Sequence, residues 1–172
     1  LVAVAADEVV HVERLHVPSF HTYHPDTPTL PWIAGAGVHR PTLLEARRRW
    51  LAAAGAEPGD RRVLLLREGG ARGLINAERL AQIASRRGFE PVDPGKLSFV
   101  EQVRLVHGSA IISGVGGAGM TNLLFCRPGA KVLSLVSEQL ADFTMQAHLA
   151  DLAGAEFTHV TGPSGSQTSS TT

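Results

Sequence analysis

Cysteine is almost absent from this chain of 172 residues, and so is any excess of charge of one sign. The one cysteine, Cys126, excludes an internal disulfide and a zinc site built from several cysteines. Lys plus Arg and Asp plus Glu number 16 each, which argues against a nucleic acid or an anionic membrane surface as the main partner. No apolar run approaches the roughly 20 residues that span a membrane. Apolar residues still make up 44% of the chain, so the composition predicts a globular domain rather than a disordered chain.

The composition changes along the chain and divides it into three predicted parts. Residues 1–41 are predicted to form an N-terminal strand and a linker rich in proline and glycine, and residues 42–161 a compact domain. Residues 162–172 contain no apolar residue and predict a disordered tail. Since the chain begins with Leu1 and carries no signal-peptide pattern, we expect it to be part of a longer protein. We expect that protein in the cytoplasm, with the membrane periphery as the alternative location.

Residues 42–160 alternate between helical patterns and short apolar runs. Helices are predicted from Thr42, from Asn76 and from Ser98, because these residue types favour a helix N-terminus. Gly55, Gly88 and Gly154 are predicted to end three of the helices. Two further helices and five strands complete the pattern: helices 120–125 and 140–152, and strands 62–66, 89–92, 110–113, 131–136 and 156–160. The alternation predicts an α/β fold, a Rossmann-like parallel sheet with right-handed crossovers and helices on both faces. Such sheets bind ligands at the carboxyl ends of their strands, near the topological switch point.

A glycine cluster follows the third predicted strand. Gly114, Gly116 and Gly119 have the spacing G-x-G-x-x-G of dinucleotide-binding turns, and Glu138 follows 19 residues after Gly119. In such turns the glycines let backbone amides approach a pyrophosphate. That fingerprint normally lies in the first β-α turn of its domain, whereas this cluster follows the third strand. An NAD(P)-dependent oxidoreductase stays open as one alternative, and glycines that only supply positive φ and close packing as another.

The motifs around the glycine cluster are more specific than the cluster itself. They are Arg67 at the end of a strand, Arg72 before a capping Asn76, Gly88-Phe89-Glu90, Ser98-Phe99-Val100-Glu101-Gln102, Gly117-Ala118-Gly119 with Asn122 and Phe125, and Pro128-Gly129-Ala130 before Val132-Leu133. In this order and spacing, over roughly residues 62–160, the chain resembles glycosyltransferase family 61, the capsular-polysaccharide type. One position departs from the resemblance. Members of the family usually carry a histidine directly before the Gly-Ala-Gly turn, and Gly116 stands there in this chain.

The resemblance implies a glycosyltransferase of GT-B-like architecture, with two Rossmann-like domains of which this chain is the C-terminal, donor-binding half. It further implies transfer of a sugar from a nucleotide-sugar donor, linked to UDP or CDP, to a glycan or protein hydroxyl. Inversion at the anomeric carbon, with no essential metal or other cofactor, is also implied. The N-terminal acceptor domain would then lie outside this chain, and the catalytic residues stay unknown. A non-catalytic nucleotide-binding module is the remaining alternative, and the departure at Gly116 favours it.

The predicted donor site gathers around the glycine turn. The amides of Gly117, Ala118 and Gly119 can donate to a diphosphate at the start of a helix, where the helix dipole is positive. Glu101 has two interpretations: it completes a capping box with Ser98, or it accepts hydrogen bonds from ribose hydroxyls as part of the family motif. Two arginines that can pair with phosphate and further polar or glycine positions complete the predicted site: Arg67, Arg72, Asn76, Gln102, Gly114, Gly116, Thr121 and Asn122.

Histidines crowd the first part of the chain, where His21, His24 and Asp26 could in principle hold a metal ion. Loop histidines without a second spaced pair of ligands are usually exposed to solvent, so no metal site is predicted. Cys126 follows an apolar segment and is predicted to be a small core side chain.

Overall fold

A computed structural model describes residues 11, 13–14, 22–23, 37–66, 74–141 and 144–163. Its contacts divide the chain into two compact units, Leu1–Val38 and His39–Thr172. In the first unit, strand β1 (Thr22–Tyr23) pairs with strand β2 (Gly37–Val38) in antiparallel orientation. Some predicted features lie outside the described residues: the strand before residue 18, both predicted phosphate-binding arginines, the candidate metal ligands His21, His24 and Asp26, and residues 164–172 of the tail.

The second unit alternates helices and strands as predicted. Its helices are α1 (Arg40–Ala54), α2 (Ala77–Arg86), α3 (Phe99–His107) and α4 (Met145–Ala153). Its strands are β3 (Arg61–Leu65), β4 (Glu90–Val92), β5 (Ser109–Val115), β6 (Lys131–Ser137) and β7 (Glu156–Gly162). Segments of 3₁₀ helix cover Pro94–Lys96, Ala118–Phe125 and Glu138–Leu140. No helix in the described ranges has both the length and the hydropathy needed to cross a bilayer.

The five strands of the second unit form one parallel sheet in the order β4-β3-β5-β6-β7. This confirms the predicted α/β fold. The first strand of the sheet lies between the second and the third, which is the flavodoxin-type order of doubly wound folds. The chain runs from β3 outward to β4 and then crosses back to β5, so the switch point lies between β3 and β5. Their carboxyl ends meet there, with Leu65 beside Gly114 in register.

Helices cover both faces of the sheet because the connections run in opposite directions along it. Helix α2 joins β3 to β4 and packs along β4, whereas α3, the Ala118–Phe125 helix and α4 belong to connections that run the other way. Right-handed crossovers place α2 on one face and these three helices on the opposite face. The Ala118–Phe125 helix contacts both α3 and α4, and α1 packs against all three. The core lies between them and the sheet, where Val103, Ile112 and Leu123 are fully buried.

The predicted helix ends that depend on glycine or on a capping box are confirmed. Helix α1 ends at Gly55 and α4 at Gly154, both in the left-handed conformation that glycine adopts without strain. Helix α3 begins with a capping box. Ser98 Oγ accepts a hydrogen bond from the Glu101 amide at 3.3 Å, and Glu101 Oε2 accepts one from the Ser98 amide at 2.7 Å.

Two predicted caps need correction. Helix α1 begins at Arg40 rather than at Thr42, because Pro41 needs no amide hydrogen bond in the first turn and has a φ suited to a helix. The Thr42 hydroxyl is instead hydrogen-bonded to His39 Nδ1 at 2.7 Å. Asn76 occupies the N-cap position of α2 as predicted, but its side chain makes no capping hydrogen bond.

The segments around the later strands also differ from the prediction. The predicted helix 120–125 is a 3₁₀ helix that starts earlier, at Ala118, and the predicted helix from Leu140 starts only at Met145, after a separate 3₁₀ segment. Strand β7 continues to Gly162, the first residue of the predicted tail, because the parallel ladder with β6 runs that far.

Candidate functional site

A cleft of about 660 Å³ lies at the switch point, at the carboxyl ends of β3 and β5. This volume is within the roughly 300–1,000 Å³ of small-ligand sites. Its described lining comes from four parts of the chain: the end of β3, the segment after β4, the start of α3 and the turn after β5. These residues are 93–96 and 115–122, with Leu65, Leu66, Phe99 and Gln102. Doubly wound sheets bind their ligands at this position, so we take the cleft as the candidate site.

A second depression, of about 720 Å³, lies along α1. All its described lining residues come from that one helix, among them Glu45, Arg49 and Trp50. The described part of the chain therefore supplies no second wall and no strand end there. Although this depression is slightly larger, it lacks the convergent polar groups of a binding site, which the cleft has.

The turn after β5 presents a set of backbone amides, which we call the amide row: those of Gly117, Ala118 and Gly119. Gly117 is extended, with φ 177° and ψ −167°, and the 3₁₀ helix starts at the next residue. Within the described residues, the amide row has no hydrogen-bond acceptor, whereas the following amide, that of Met120, donates to Gly117 O at 3.0 Å. Unpaired amides at a helix start carry positive partial charge and suit an anion.

Gly117 is the open position of this turn. A Cβ atom there would lie 4.0 Å from its nearest neighbour, Val115 O, and Gly117 lines the cleft. Gly119 is tighter, because its Cβ position lies 3.2 Å from Pro94 Cγ. A ligand can therefore approach the backbone most closely at Gly117, where glycine leaves space that any other residue would fill.

Gly114 and Gly116 are required for packing. The Cβ position on Gly114 lies 2.9 Å from Leu65 Cβ, and that on Gly116 lies 2.6 Å from Val136 Cγ1. Neither glycine has a positive φ. Close packing is therefore confirmed for these two positions, and the suggested positive φ is wrong. At Gly116, where the chain departs from the resembled family, the surroundings leave no room for a histidine side chain in this backbone conformation.

Asn122 and Gln102, two predicted donor-binding residues, brace the turn. Asn122 is buried, and its Nδ2 donates to Gln102 Oε1 at 2.7 Å. Gln102 Nε2 donates to Leu97 O at 3.0 Å. These hydrogen bonds tie the 3₁₀ helix after the turn to the start of α3. Both residues also line the cleft, and their contact with a nucleotide stays a prediction.

The side chains of Glu101 and Thr121 make local hydrogen bonds. The hydroxyl and the amide of Ser98 donate to the Glu101 carboxylate and hold its pKa below the ordinary value. Thr121 lines the cleft, and its Oγ1 donates to Ala118 O at 2.6 Å. Glu101 and Asn76 are not among the described residues that line the cleft. For Glu101, capping is the role that the structure shows, and ribose binding stays a prediction.

The segment after β4 also contributes to the cleft, which the sequence motifs did not predict. Asp93 caps the Pro94–Lys96 helix, since its carboxylate accepts a hydrogen bond from the Gly95 amide at 2.8 Å. This short helix brings Lys96, a cationic residue, to the lining of the cleft. A signal was available, because Lys96 follows a predicted strand, and the carboxyl ends of parallel strands share one edge of the sheet.

Arg67 and Arg72 lie outside the described residues. Leu66, the residue before Arg67, lines the cleft, and its amide donates to Val92 O at 2.9 Å. The chain therefore leaves β3 directly at the cleft. Pairing of the two arginines with phosphate stays a prediction.

Cys126 is fully buried, as predicted. Burial raises the pKa of its thiol to about 12, so Cys126 is not a reactive nucleophile. In the described ranges, no three His, Cys, Asp or Glu side chains lie together in a way that could hold a metal ion.

Two features would have favoured a dinucleotide-binding oxidoreductase: a glycine turn after the first strand of the sheet, and Glu138 beside it. The turn follows β5, the third strand of the sheet along the chain. Glu138 begins the 3₁₀ helix after β6 and is not among the described residues that line the cleft. Neither feature supports a dinucleotide site.

In sequence, the chain is similar to known sugar-transferring proteins. A family model described as Glycosyltransferase 61 matches residues 1–133. The chain is 35% identical to a β-1,2-xylosyltransferase of Oryza sativa subsp. japonica over 95 residues, which are 54% of this chain and 17% of the relative. It is 31% identical to a xylan glycosyltransferase of Arabidopsis thaliana over 70 residues, which are 39% of this chain and 14% of the relative. The chain thus spans less than a fifth of the length of these two relatives.

Proposed function

This chain belongs to glycosyltransferase family 61, and we propose that it binds the nucleotide-sugar donor of a sugar-transfer reaction in the cleft at the ends of β3 and β5. The observation that carries the proposal is the amide row, which opens on this cleft at the switch point of the sheet. Backbone amides at a helix start are a common phosphate-binding device, because they combine hydrogen-bond donors with positive partial charge. A nucleotide sugar presents a diphosphate to them.

The reaction that we propose is a single displacement with inversion at the anomeric carbon. An acceptor hydroxyl forms a bond to that carbon, the bond from the carbon to the diphosphate oxygen breaks, and the hydroxyl proton passes to a base not yet identified. Negative charge grows on the leaving nucleoside diphosphate. The amide row, Lys96 and, by family resemblance, Arg67 would stabilise that charge. In enzymes, one donor aimed at a developing charge is worth roughly 3 kcal/mol.

We also propose a substrate class. The donor is linked to UDP or CDP, and the acceptor is a glycan or protein hydroxyl. Two relatives are named as a xylosyltransferase and a xylan glycosyltransferase, which supports a polysaccharide acceptor over a protein. The acceptor site is proposed to lie in a separate domain, so that donor and acceptor meet in a cleft between two domains in attack geometry.

A non-catalytic nucleotide-binding module is the second candidate. The observation in its favour is Gly116, which replaces the histidine usual in the family and leaves no space for a side chain beside Val136. Both candidates predict nucleotide binding. A transfer assay with the full protein, a panel of sugar nucleotides and glycan acceptors separates them, because only the enzyme yields product.

Calorimetry with UDP, CDP and NAD tests the donor site. We expect the chain to bind UDP or CDP in preference to NAD. Gly117→Ala places a methyl group where the ligand approaches the backbone, without a clash in the free chain, and should weaken nucleotide binding at least tenfold. Gly162→Ala is the matched control, since a Cβ atom there meets open space in β7, and it should bind as the parent. Binding of NAD without a response to any nucleoside diphosphate would refute the proposal.

A further inference from the structure

Gln146 has a buried side-chain amide that is not part of the proposed donor site. It is the second residue of α4 and is 3% exposed. Its Oε1 accepts a hydrogen bond of 2.7 Å from the hydroxyl of Ser134, a fully buried residue of β6. Because this contact holds one end of the amide, the other end, Nε2, has a defined direction.

Gln146 Nε2 lies next to the glycine turn. It is 3.5 Å from the position that a Cβ atom on Gly116 would occupy. Nε2 is buried, and the part of the chain that the structure describes offers it no acceptor. The neighbouring amide of Gly116 is already paired, since it donates to Leu135 O at 2.7 Å. Buried donors are nearly always paired in folded proteins, because an unpaired donor has lost its water without a replacement.

We propose that Gln146 is a further donor-binding residue, whose Nε2 donates to an oxygen of the bound diphosphate. The inference rests on the proposed function, because the ligand is the same nucleotide. The unpaired donor lies beside Gly116, the residue that leads into the amide row, and Ser134 holds it in place. Phosphate oxygens are strong acceptors with several lone pairs, so one diphosphate can accept hydrogen bonds from the amide row and from Nε2 together.

Gln146 and Val136 are not among the described residues that line the cleft, so a ligand reaches Nε2 only if side chains beside Gly116 move. Val136 Cγ1 is the atom nearest to the Cβ position on Gly116, at 2.6 Å, and lies on the same side of this residue as Nε2. We expect a rotation of Val136 about χ1, which carries Cγ1 to another staggered position, to open a path from Gly116 to Nε2.

The test uses a variant that removes the amide and leaves no new unpaired group. In the double variant Ser134→Ala with Gln146→Met, both members of the buried pair become apolar, and the chain should be as stable as the parent or more stable. Binding of UDP, CDP and pyrophosphate to the full chain is measured by calorimetry. We expect the double variant to bind all three probes at least tenfold more weakly. Ser109→Ala is the matched control, because it removes a buried hydrogen bond at the opposite end of β5, and it should bind as the parent.

A second variant keeps the test decisive if the double variant does not fold. Gln146→Asn retains the amide but withdraws it from Gly116 by one methylene group, and it should also weaken binding at least tenfold. A folded double variant, or in its place Gln146→Asn, that binds UDP as tightly as the parent would overturn the role of Gln146. If the parent itself binds none of the three probes, the proposed donor site fails, and the role of Gln146 fails with it.

Discussion

Gly116→Ala is the substitution whose effect the structure predicts most directly. The new methyl group would lie 2.6 Å from Val136 Cγ1, 3.4 Å from Leu135 O and 3.5 Å from Gln146 Nε2. Non-bonded carbon atoms are normally about 3.5–4.0 Å apart, so the valine side chain must move by about 1 Å. Only the contact with Val136 is much shorter than a normal non-bonded distance. The expected loss of stability therefore comes from the new methyl group and the Val136 side chain alone.

The size of the effect follows from two opposing contributions. Overpacking of this kind costs about 1–3 kcal/mol. Alanine also restricts the unfolded chain. Since Gly116 has no positive φ, this restriction stabilises the folded state by about 0.4–1 kcal/mol. We expect a net loss of about 1–2 kcal/mol in the free energy of unfolding, which for a chain of this length lowers the melting temperature by about 2–8 °C.

A double-mutant cycle with Val136→Ala checks this reasoning. The valine-to-alanine change removes the clashing methyl group, so in that background Gly116→Ala should be neutral or stabilising. The coupling between the two positions should be about 1–3 kcal/mol, measured by urea unfolding of the four chains. Gly162→Ala, with open space around its Cβ position, is the control for the entropic contribution alone. An equal loss from Gly116→Ala in both backgrounds would show that packing against Val136 is not the cause.

The remaining predictions concern a helix cap, an ion pair and an arginine. Ser98→Ala removes the α3 capping box and should cost about 1 kcal/mol in thermal unfolding, whereas Ser85→Ala, at an exposed position of α2 that caps nothing, should cost less. Arg48 and Arg49 lower the pKa of Glu45 to about 2, so the stability from this ion pair is present above pH 4.5 and is lost as the pH falls towards 2. The melting temperature of the Glu45→Gln variant should therefore depend less on pH between 4.5 and about 2 than that of the parent. The same pH dependence in both chains would contradict this prediction. Arg67→Lys keeps the positive charge but loses the planar guanidinium group. It should weaken UDP binding about tenfold in calorimetry, on the ~1.5–3 kcal/mol scale of charge-assisted hydrogen bonds. Equal affinity of variant and parent would show that Arg67 does not belong to the site.

Sequence signals that act over a few residues predicted much of the fold. All five strands of the sheet were predicted, and Gly55, Gly154 and the Ser98 capping box marked helix ends correctly, because such signals act within a few residues. Where two local signals compete, the prediction was less accurate. Pro41 moved the start of α1 ahead of Thr42, since a proline in the first turn favours a helix that has already begun.

The candidate site was predictable only in part. The glycine turn was found because its motif lies within a few consecutive residues, and seven of the predicted donor-binding positions line one cleft: Gln102, Gly116, Gly117, Ala118, Gly119, Thr121 and Asn122. Lys96 was missed because its place beside that turn depends on the order of the strands. For Glu101 the sequence predicts two alternative roles, helix capping and ribose binding, because both kinds of carboxylate share the same sequence pattern.

The sequence by itself determined the α/β class, the main helix stops and the position of the glycine turn, because each depends on neighbours within a few residues. Only the tertiary structure decided which glycine is open and which is packed. Gly116 meets Val136 on the neighbouring strand and Gln146 on α4, while Gly117, the next residue, meets almost nothing. The same glycine motif thus meets two physical requirements, an open backbone at Gly117 and close packing against neighbouring segments at Gly116. They can be told apart only when distant segments are brought together, since the contacts that distinguish them join residues 20 and 30 positions apart in the chain.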